Sequence, residues 1–174
     1  MKSLNNDWSI AMIVLEWVKN RYYYPEFDQT KIQNILHFAI VWNIFERECC
    51  ECDAQIKTHA EAVASALHDK SIRSWDTTWS YFHQRYVRNG NMTAKFNTFV
   101  FKRNDNKAFV QNTLLSESPS NKDKIEALIR IIFRLRNNLM HGEKKPEIFY
   151  AQDENFKYAN LFLMDVCDLC GEQQ

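Results

Sequence analysis

SPSNKDKIEALIRIIFRLRNNLMHG, residues 118 to 142, decides how the rest of the chain is read. Ser118-Pro119-Ser120-Asn121 is a helix start, with polar caps and a proline tolerated in a first turn. Asp123 and Glu126 then favour the positive end of the helix dipole. Ile125, Leu128, Ile129, Ile132, Leu135 and Leu139 recur at three- and four-residue intervals, which predicts the buried side of a long helix closed by Gly142. Its end is very polar for such a helix: RLRNNLMHG, residues 134 to 142, crowds two arginines, two asparagines and a histidine together.

Helical spacing extends outward in both directions. Trp8, Met12, Leu15 and Val18 mark a first helix over residues 7 to 21, and Pro25 separates it from the next. Asp28 is a plausible N-cap for a longer second helix. Its core-facing positions are Ile32, Ile35, Leu36, Ala39, Trp42 and Phe45, and it ends at a cysteine cluster. HAEAVASALHDK, residues 59 to 70, continues or restarts that helix. Ile72, Trp75, Trp79, Phe82 and Tyr86 make a further stripe, and Asn89-Gly90 follows where a C-cap belongs. The same dipeptide can turn a hairpin, but the 3.6-residue period before it is the stronger signal. Residues 92 to 117 are ambiguous, because KFNTFVFK alternates like a strand while KAFVQNTLLSE suits a helix, and the expectation is irregular or helical structure. Lys144-Lys145-Pro146 makes a loop before a last amphipathic helix over residues 153 to 170, with Phe156, Leu161, Leu163, Val166 and Leu169.

Composition agrees with helices. A chain of 174 residues with 45% hydrophobic and 14% aromatic content can bury a sizeable core. Three glycines and three prolines leave little material for the turns of an all-β protein or for a phosphate-cradling glycine loop. The expected fold is therefore all-α, a single helical bundle of about five to seven helices spanning residues 1 to 174 as one domain. The 22 basic and 22 acidic residues cancel, so any contact with nucleic acid must be local. The N-terminal stretch reads as an amphipathic helix and not as a signal peptide, and no run is long enough to span a bilayer. The expectation is a cytoplasmic protein without membrane contact, its five cysteines reduced thiols.

Three constellations carry chemistry. Cys49-Cys50-Glu51-Cys52 and Cys167-Asp168-Leu169-Cys170 each contain a C-x-x-C, the spacing with which paired thiolates hold tetrahedral zinc. Both pairs fall at the ends of apolar helices, more than a hundred residues apart, and buried thiols acting as small hydrophobes explain them as well. The expected site therefore has no metal and no cofactor. A second feature is an acid-free run between Asp76 and Asp105. It sets Arg85, Arg88, Lys95, Lys102 and Arg103 among Trp79, Tyr81, Phe82, Tyr86, Phe96, Phe99 and Phe101. Such a mixture suits single-stranded nucleic acid, though helix-spaced aromatics are more often core.

The third is RLRNNLMHG itself. On an ideal helix Arg134 and His141 lie about 20° apart, whereas Arg136 and His141 lie about 140° apart. An arginine beside a histidine suffices to cleave a phosphodiester without metal: an imidazole with a pKa of about 6.5 moves a proton near neutral pH, and a guanidinium holds the phosphate and its growing charge. The plain alternative is that these side chains only cap the last carbonyls of the helix.

Arg136-Asn137-Asn138-Leu139-Met140-His141, followed by Gly142, resembles the R-N-x-x-x-H signature of the HEPN superfamily of helical nucleotide-binding domains. ILHFAIVWNIFERE, residues 35 to 48, is similar to the long early helix of that family, with a tryptophan and an acidic residue after an apolar run. The resemblance covers most of the chain in architecture, while its specific letters are confined to residues 136 to 142. It implies a metal-independent endoribonuclease, often a toxin or defence effector, that works as a homodimer with a shared cleft. An antitoxin or regulatory protein is a further partner it implies. Carried onto this chain, the catalytic set is Arg136, Asn137 and His141. His141 acts as general base on a ribose 2′-hydroxyl or as general acid on the leaving 5′-oxygen. Arg136 binds the scissile phosphate, Asn137 assists by hydrogen bonding, and Glu46 orients one of these groups. The products are a 2′,3′-cyclic phosphate and a 5′-hydroxyl, and DNA is spared because it lacks the nucleophile. Some toxin members carry a tyrosine two residues after the histidine, where this chain has Glu143. Arg134 is the named rival of Arg136. The reading from another class is a HEPN-like module that binds RNA, a nucleotide or a protein partner without cleaving.

Overall fold

The computed structural model describes residues 10–22, 27–50, 56–71, 74–103, 105–140 and 149–171. The expected all-α architecture is present. Among the described residues there are eight α-helices, one 3-10 turn and one two-stranded sheet. The helices are α1 (Ile10–Tyr22), α2 (Gln33–Cys49), α3 (Ile56–Leu67), α4 (Trp75–Tyr86), α5 (Ala94–Asn97), α6 (Lys107–Leu115), α7 (Asn121–Met140) and α8 (Tyr150–Gly171). The count exceeds the five to seven expected because the ambiguous segment forms two short helices, α5 and α6, where periodicity has too few residues to register.

Asp28 does cap a helix, accepting from the backbone N–H of Thr30 at 2.9 Å, but it opens the 3-10 turn Gln29–Ile32 that leads into α2. The start of α7 behaves as its sequence predicts: Ser120 Oγ accepts from the N–H of Asp123 at 3.1 Å and donates to the Asp123 carboxylate at 2.6 Å. Asn89-Gly90 is where expectation and structure part. It turns a hairpin between β1 (Val87–Arg88) and β2 (Asn91–Met92), with Val87 paired to Met92. Asn89 and Gly90 take φ of 52° and 71°, the left-handed pair that a two-residue hairpin turn requires. The helical stripe was real but stopped at Tyr86, leaving the dipeptide free to serve the strands.

The core sits around α7, of whose 20 residues 13 are buried, so that it is enclosed on all sides and not on one. Ile125, Leu128, Ile129 and Ile132 are fully buried as expected, and Glu126, Arg130, Arg134, Asn137 and Asn138 are buried with them. α2 and α8 pack side by side in the same direction. At one end the Asp153 carboxylate accepts from the backbone N–H of Asn34 at 3.0 Å and from its side-chain amide at 2.6 Å. Phe38 meets Phe156 edge-on at 4.7 Å in the middle. At the far end the two helices finish together, with Cys49 level with Cys167. On α2 the buried stripe is Ile35, Phe38, Trp42 and Phe45, while Leu36 and Ala39, expected in the core, face outward. Leu161 of α8 is likewise exposed. α4 crosses α8 in the opposite sense, with Asp165 accepting from the N–H of Ser74 at 2.6 Å and Tyr81 stacked on Tyr158 at 4.1 Å. Among the described residues no helix is long and apolar enough to cross a membrane. Trp8 of the first predicted stripe lies outside the described residues, and Val18 packs on the core.

Asp153 satisfies donors at the start of α2 that the helix itself leaves unpaired. Asp153→Ala is expected to lower stability by about 1 to 2 kcal/mol in urea unfolding, the usual range for loss of such a cap. An unchanged midpoint and slope would show that the α2–α8 contact does not need it.

Candidate functional site

Arg134 and Arg136 stand two positions apart on α7 and therefore point to opposite sides of it. Arg134 turns toward the segment before α6, where its Nη2 meets the Asp105 carboxylate at 2.5 Å, both side chains being buried at 1% and 5% exposure. Arg130, one turn earlier, lies on that same side; it pairs with Glu126 at 2.6 Å, and its guanidinium lies 5.7 Å from the centre of the Phe109 ring. Asp105 is anchored in turn by accepting from the backbone N–H of Lys102 at 2.5 Å. Arg134 is thus committed to the interior and cannot reach a ligand.

Arg136 faces α2 instead. Its guanidinium lies 5.8 Å from the centre of the Trp42 ring, donates from Nη1 to Asn137 Oδ1 at 2.9 Å, and stands 3.9 Å from the Glu46 carboxylate. The pair is half-open to solvent, with Arg136 28% and Glu46 21% exposed. A contact at 3.9 Å is an attraction without a tight hydrogen bond, and the Nε of Arg136 is buried without a partner. Nη2, held only by that loose attraction, is the donor left for an anion, while Trp42 below, Asn137 beside and Glu46 opposite hold the guanidinium plane. α2 supplies Trp42 and Glu46 one turn apart on one face, and Phe133, packed 6.0 Å from Trp42, seats α7 against them.

Of the three residues expected to be catalytic, Arg136 and Asn137 come together in this cluster. His141 lies outside the described residues, as do Gly142 and Glu143. α7 keeps its helical form through Met140. Glu46 approaches Arg136, at 3.9 Å. Trp42 as the support of the guanidinium was not foreseen, though the Trp42-x-x-x-Glu46 spacing held the signal.

The other two constellations resolve differently. In the basic and aromatic run, Phe82, Tyr86, Phe96 and Phe99 are buried, and Trp79, Tyr81 and Phe101 pack partly against the core. No row of aromatic faces is left for bases to stack on among them, while Arg88, Lys95, Lys102 and Arg103 stand exposed as solvated charges. Burial pushes the Tyr81 phenol up to about 12, and its hydroxyl donates to Asn155 at 2.7 Å, a structural role. Cysteines far apart in sequence fall at neighbouring helix ends: the register that sets Phe38 against Phe156 brings Cys49 level with Cys167. The neighbouring thiols of Cys167 and Cys170 push the Cys49 thiol above its ordinary value. Among the described residues no group of three or more His, Cys, Asp or Glu side chains is arranged to hold a metal ion, and Cys52 lies outside them. A groove of about 560 Å³ between α2 and α8, lined by Val41, Ile44, Met164 and Cys167 among others, does not include the Arg136 cluster.

Comparisons with protein-family models, with curated proteins and with solved structures gave no match.

The two arginines separate cleanly by experiment. Arg134→Ala leaves Asp105 buried and unpaired, which is expected to cost about 3 to 5 kcal/mol of unfolding free energy. Arg136→Ala removes a half-exposed, loosely paired cation and is expected to cost about 1 kcal/mol or less. Equal losses in chemical denaturation would refute this division of roles.

Proposed function

We propose that the chain is a metal-independent endoribonuclease of HEPN type, cleaving RNA by attack of the ribose 2′-hydroxyl on the adjacent phosphate. The observation that carries this reading is the state of Arg136. It is the one arginine of the RLRNNLMHG segment with solvent access and a loosely held donor, and it sits at the position that the R-N-x-x-x-H resemblance assigns to the phosphate. A phosphate oxygen takes up that donor, and the guanidinium stabilises the charge that grows on the phosphate in the transition state. Asn137 fixes the guanidinium through Nη1, and Glu46 opposite keeps it from swinging away. Glu46 also sets a limit: a carboxylate near the phosphate repels it, so the geometry suits a group that orients Arg136 from behind and not one that touches the substrate.

His141 moves the proton in this proposal. Were the helix to continue to His141, Arg136 and His141 would lie about 140° apart, and one chain would not point both at the same phosphate unless that last turn deformed. Pairing Arg136 of one protomer with the partner's His141 across a two-fold axis removes the conflict. Exposed apolar side chains support association of two copies: Met140 stands one turn beyond Arg136, and Leu36, Ile40 and Ile44 form a stripe along the outer side of α2. A toxin or defence role, and an antitoxin or regulatory protein to restrain it, would follow from uncontrolled cleavage of this kind.

The test is incubation of purified protein with single-stranded RNA in a chelator. Wild type is expected to yield fragments ending in 2′,3′-cyclic phosphate, and an oligonucleotide of the same sequence in DNA is expected to stay intact. His141→Ala and Arg136→Ala are each expected to reduce the rate by at least about a hundredfold, the scale of a general acid–base group or an oxyanion donor. A mixture of the two inactive variants is expected to recover part of the activity if sites are shared between protomers. Intact RNA with wild type, or equal rates in the variants, would leave binding without cleavage as the better reading.

A further inference from the structure

Five cations and no acid lie between Asp76 and Asp105, so the rest of the chain carries 17 basic residues against 22 acidic. The neutral total hides a separation of charge. Packing gathers these cations around one knot of rings. Tyr86 meets Phe96 at 5.5 Å and Phe99 at 5.6 Å, and Phe101 closes the circle at 5.5 Å from Phe96 and 5.0 Å from Phe99. Thr93 ties the knot, its N–H donating to the carbonyl of Tyr86 at 2.8 Å and its hydroxyl to that of Arg85 at 2.9 Å.

Exposed cations stand beside the rings in sequence: Lys95 precedes Phe96, Lys102 and Arg103 follow Phe101, and Arg88 lies two residues after Tyr86 on the hairpin. Lys107 adds another, its ammonium 5.3 Å from the centre of Phe96 and 5.9 Å from that of Phe101. Asp105, at the edge of the run, is buried against Arg134 and offers the surface no negative charge. Among the described residues Arg88, Lys95, Lys102 and Arg103 make no ion pair.

Like charges held together repel one another, and an anion of repeated charge relieves several at once. A nucleic-acid strand is such an anion, and because the rings are turned into the core, phosphate contact and not base stacking is what this surface offers. Its place along α7 gives it a direction. The N–H of Lys102 ties that residue to Asp105, Asp105 pairs with Arg134, and Arg136 follows two positions later on the opposite side of the helix. The basic lobe and the Arg136 cluster thus flank the same end of α7, separated by the width of one helix, about 10 to 12 Å. We propose that the lobe formed by the β1–β2 hairpin, α5 and Lys102–Arg103 docks the phosphate backbone of an RNA strand and holds it for the Arg136 site, a role that rests on the endoribonuclease reading. Contacts confined to phosphates carry no sequence information and accept DNA as well as RNA. Docking and cleavage therefore differ in what they require, since only a strand with a 2′-hydroxyl is cut.

Anisotropy titrations of the full chain with a fluorescent single-stranded DNA at several salt concentrations test this. The slope of log Kobs against log salt is expected near about −3, from four phosphate contacts at about 0.7 each. Arg88→Gln with Lys95→Gln, and Lys102→Gln with Arg103→Gln, are each expected to remove about half of that slope, and all four together to weaken binding at least about tenfold at about 0.1 M salt. Either pair decides the matter if the fourfold variant does not fold. The same change at Arg21, Lys31, Lys70 and Lys157, exposed cations elsewhere, is expected to leave the slope as it is. In RNA cleavage the fourfold variant is expected to raise KM with kcat unchanged. Strand affinity that the lobe variants do not alter, an equal loss in the control, or tighter binding to phosphatidylserine vesicles than to the strand would overturn the proposal. Intact RNA together with DNA binding that depends on the lobe would end the endoribonuclease reading and leave the docking surface standing.

Discussion

The buried ion pair between Arg134 and Asp105 is the constraint around which the rest of the molecule is arranged. Residues 125 to 135 of α7 are buried at every position and have no solvated face on which to leave their charges, and an unpaired guanidinium in the interior would cost several kcal/mol, on the order of the penalty for a broken buried pair. Asp105 answers that charge, and the N–H of Lys102 holds the carboxylate in place. Arg130 and Glu126 repeat the arrangement one turn earlier on the same side of the helix. With its polar side neutralised internally, α7 can be surrounded, and its opposite side is left to meet α2 through Phe133 and Arg136.

α8 performs the complementary task at the periphery. Its acidic and amide side chains close the ends of other helices: Asp153 and Asn160 at the start of α2, Asp165 at the start of α4. Each is a polar contact between segments about ninety or more residues apart, so α8 fixes where α2 and α4 begin and the direction in which they run. α2 is thereby held with Trp42 and Glu46 under Arg136 and with Cys49 level with Cys167 of α8. The candidate site and the meeting of the two helix ends are two consequences of one packing arrangement.

Division of labour between neighbouring arginines explains why a very polar helix end is stable. A step of two residues reverses direction around the helix, so Arg134 serves the interior while Arg136 reaches a half-open rim. Loss of either would be read as a change at one short motif, yet the first breaks a buried ion pair and the second a loose, half-exposed one.

Local patterning alone determined the helical class, the start of α7 at Ser120, the cap at Asp28 and the apolar stripe of α7, because these depend on contacts within a turn or two of chain. The same patterning singled out Arg136 and Asn137, but through a resemblance in letters and not through geometry. Periodicity, by itself, favoured Arg134 beside His141. Only tertiary packing shows that Arg134 is buried while Arg136 stays half-exposed, since the partner of Arg134 is Asp105, outside the helix. The hairpin at Asn89-Gly90 was likewise undetermined, because the dipeptide suits both a helix end and a two-residue turn until the strands beside it are paired. Burial of the aromatic run was a three-dimensional matter too: alternation and spacing show which rings share a face, not whether another helix covers it. The two C-x-x-C pairs were visible as spacing, but the parallel packing of α2 and α8 brought Cys49 level with Cys167, because it makes two distant helix ends coincide.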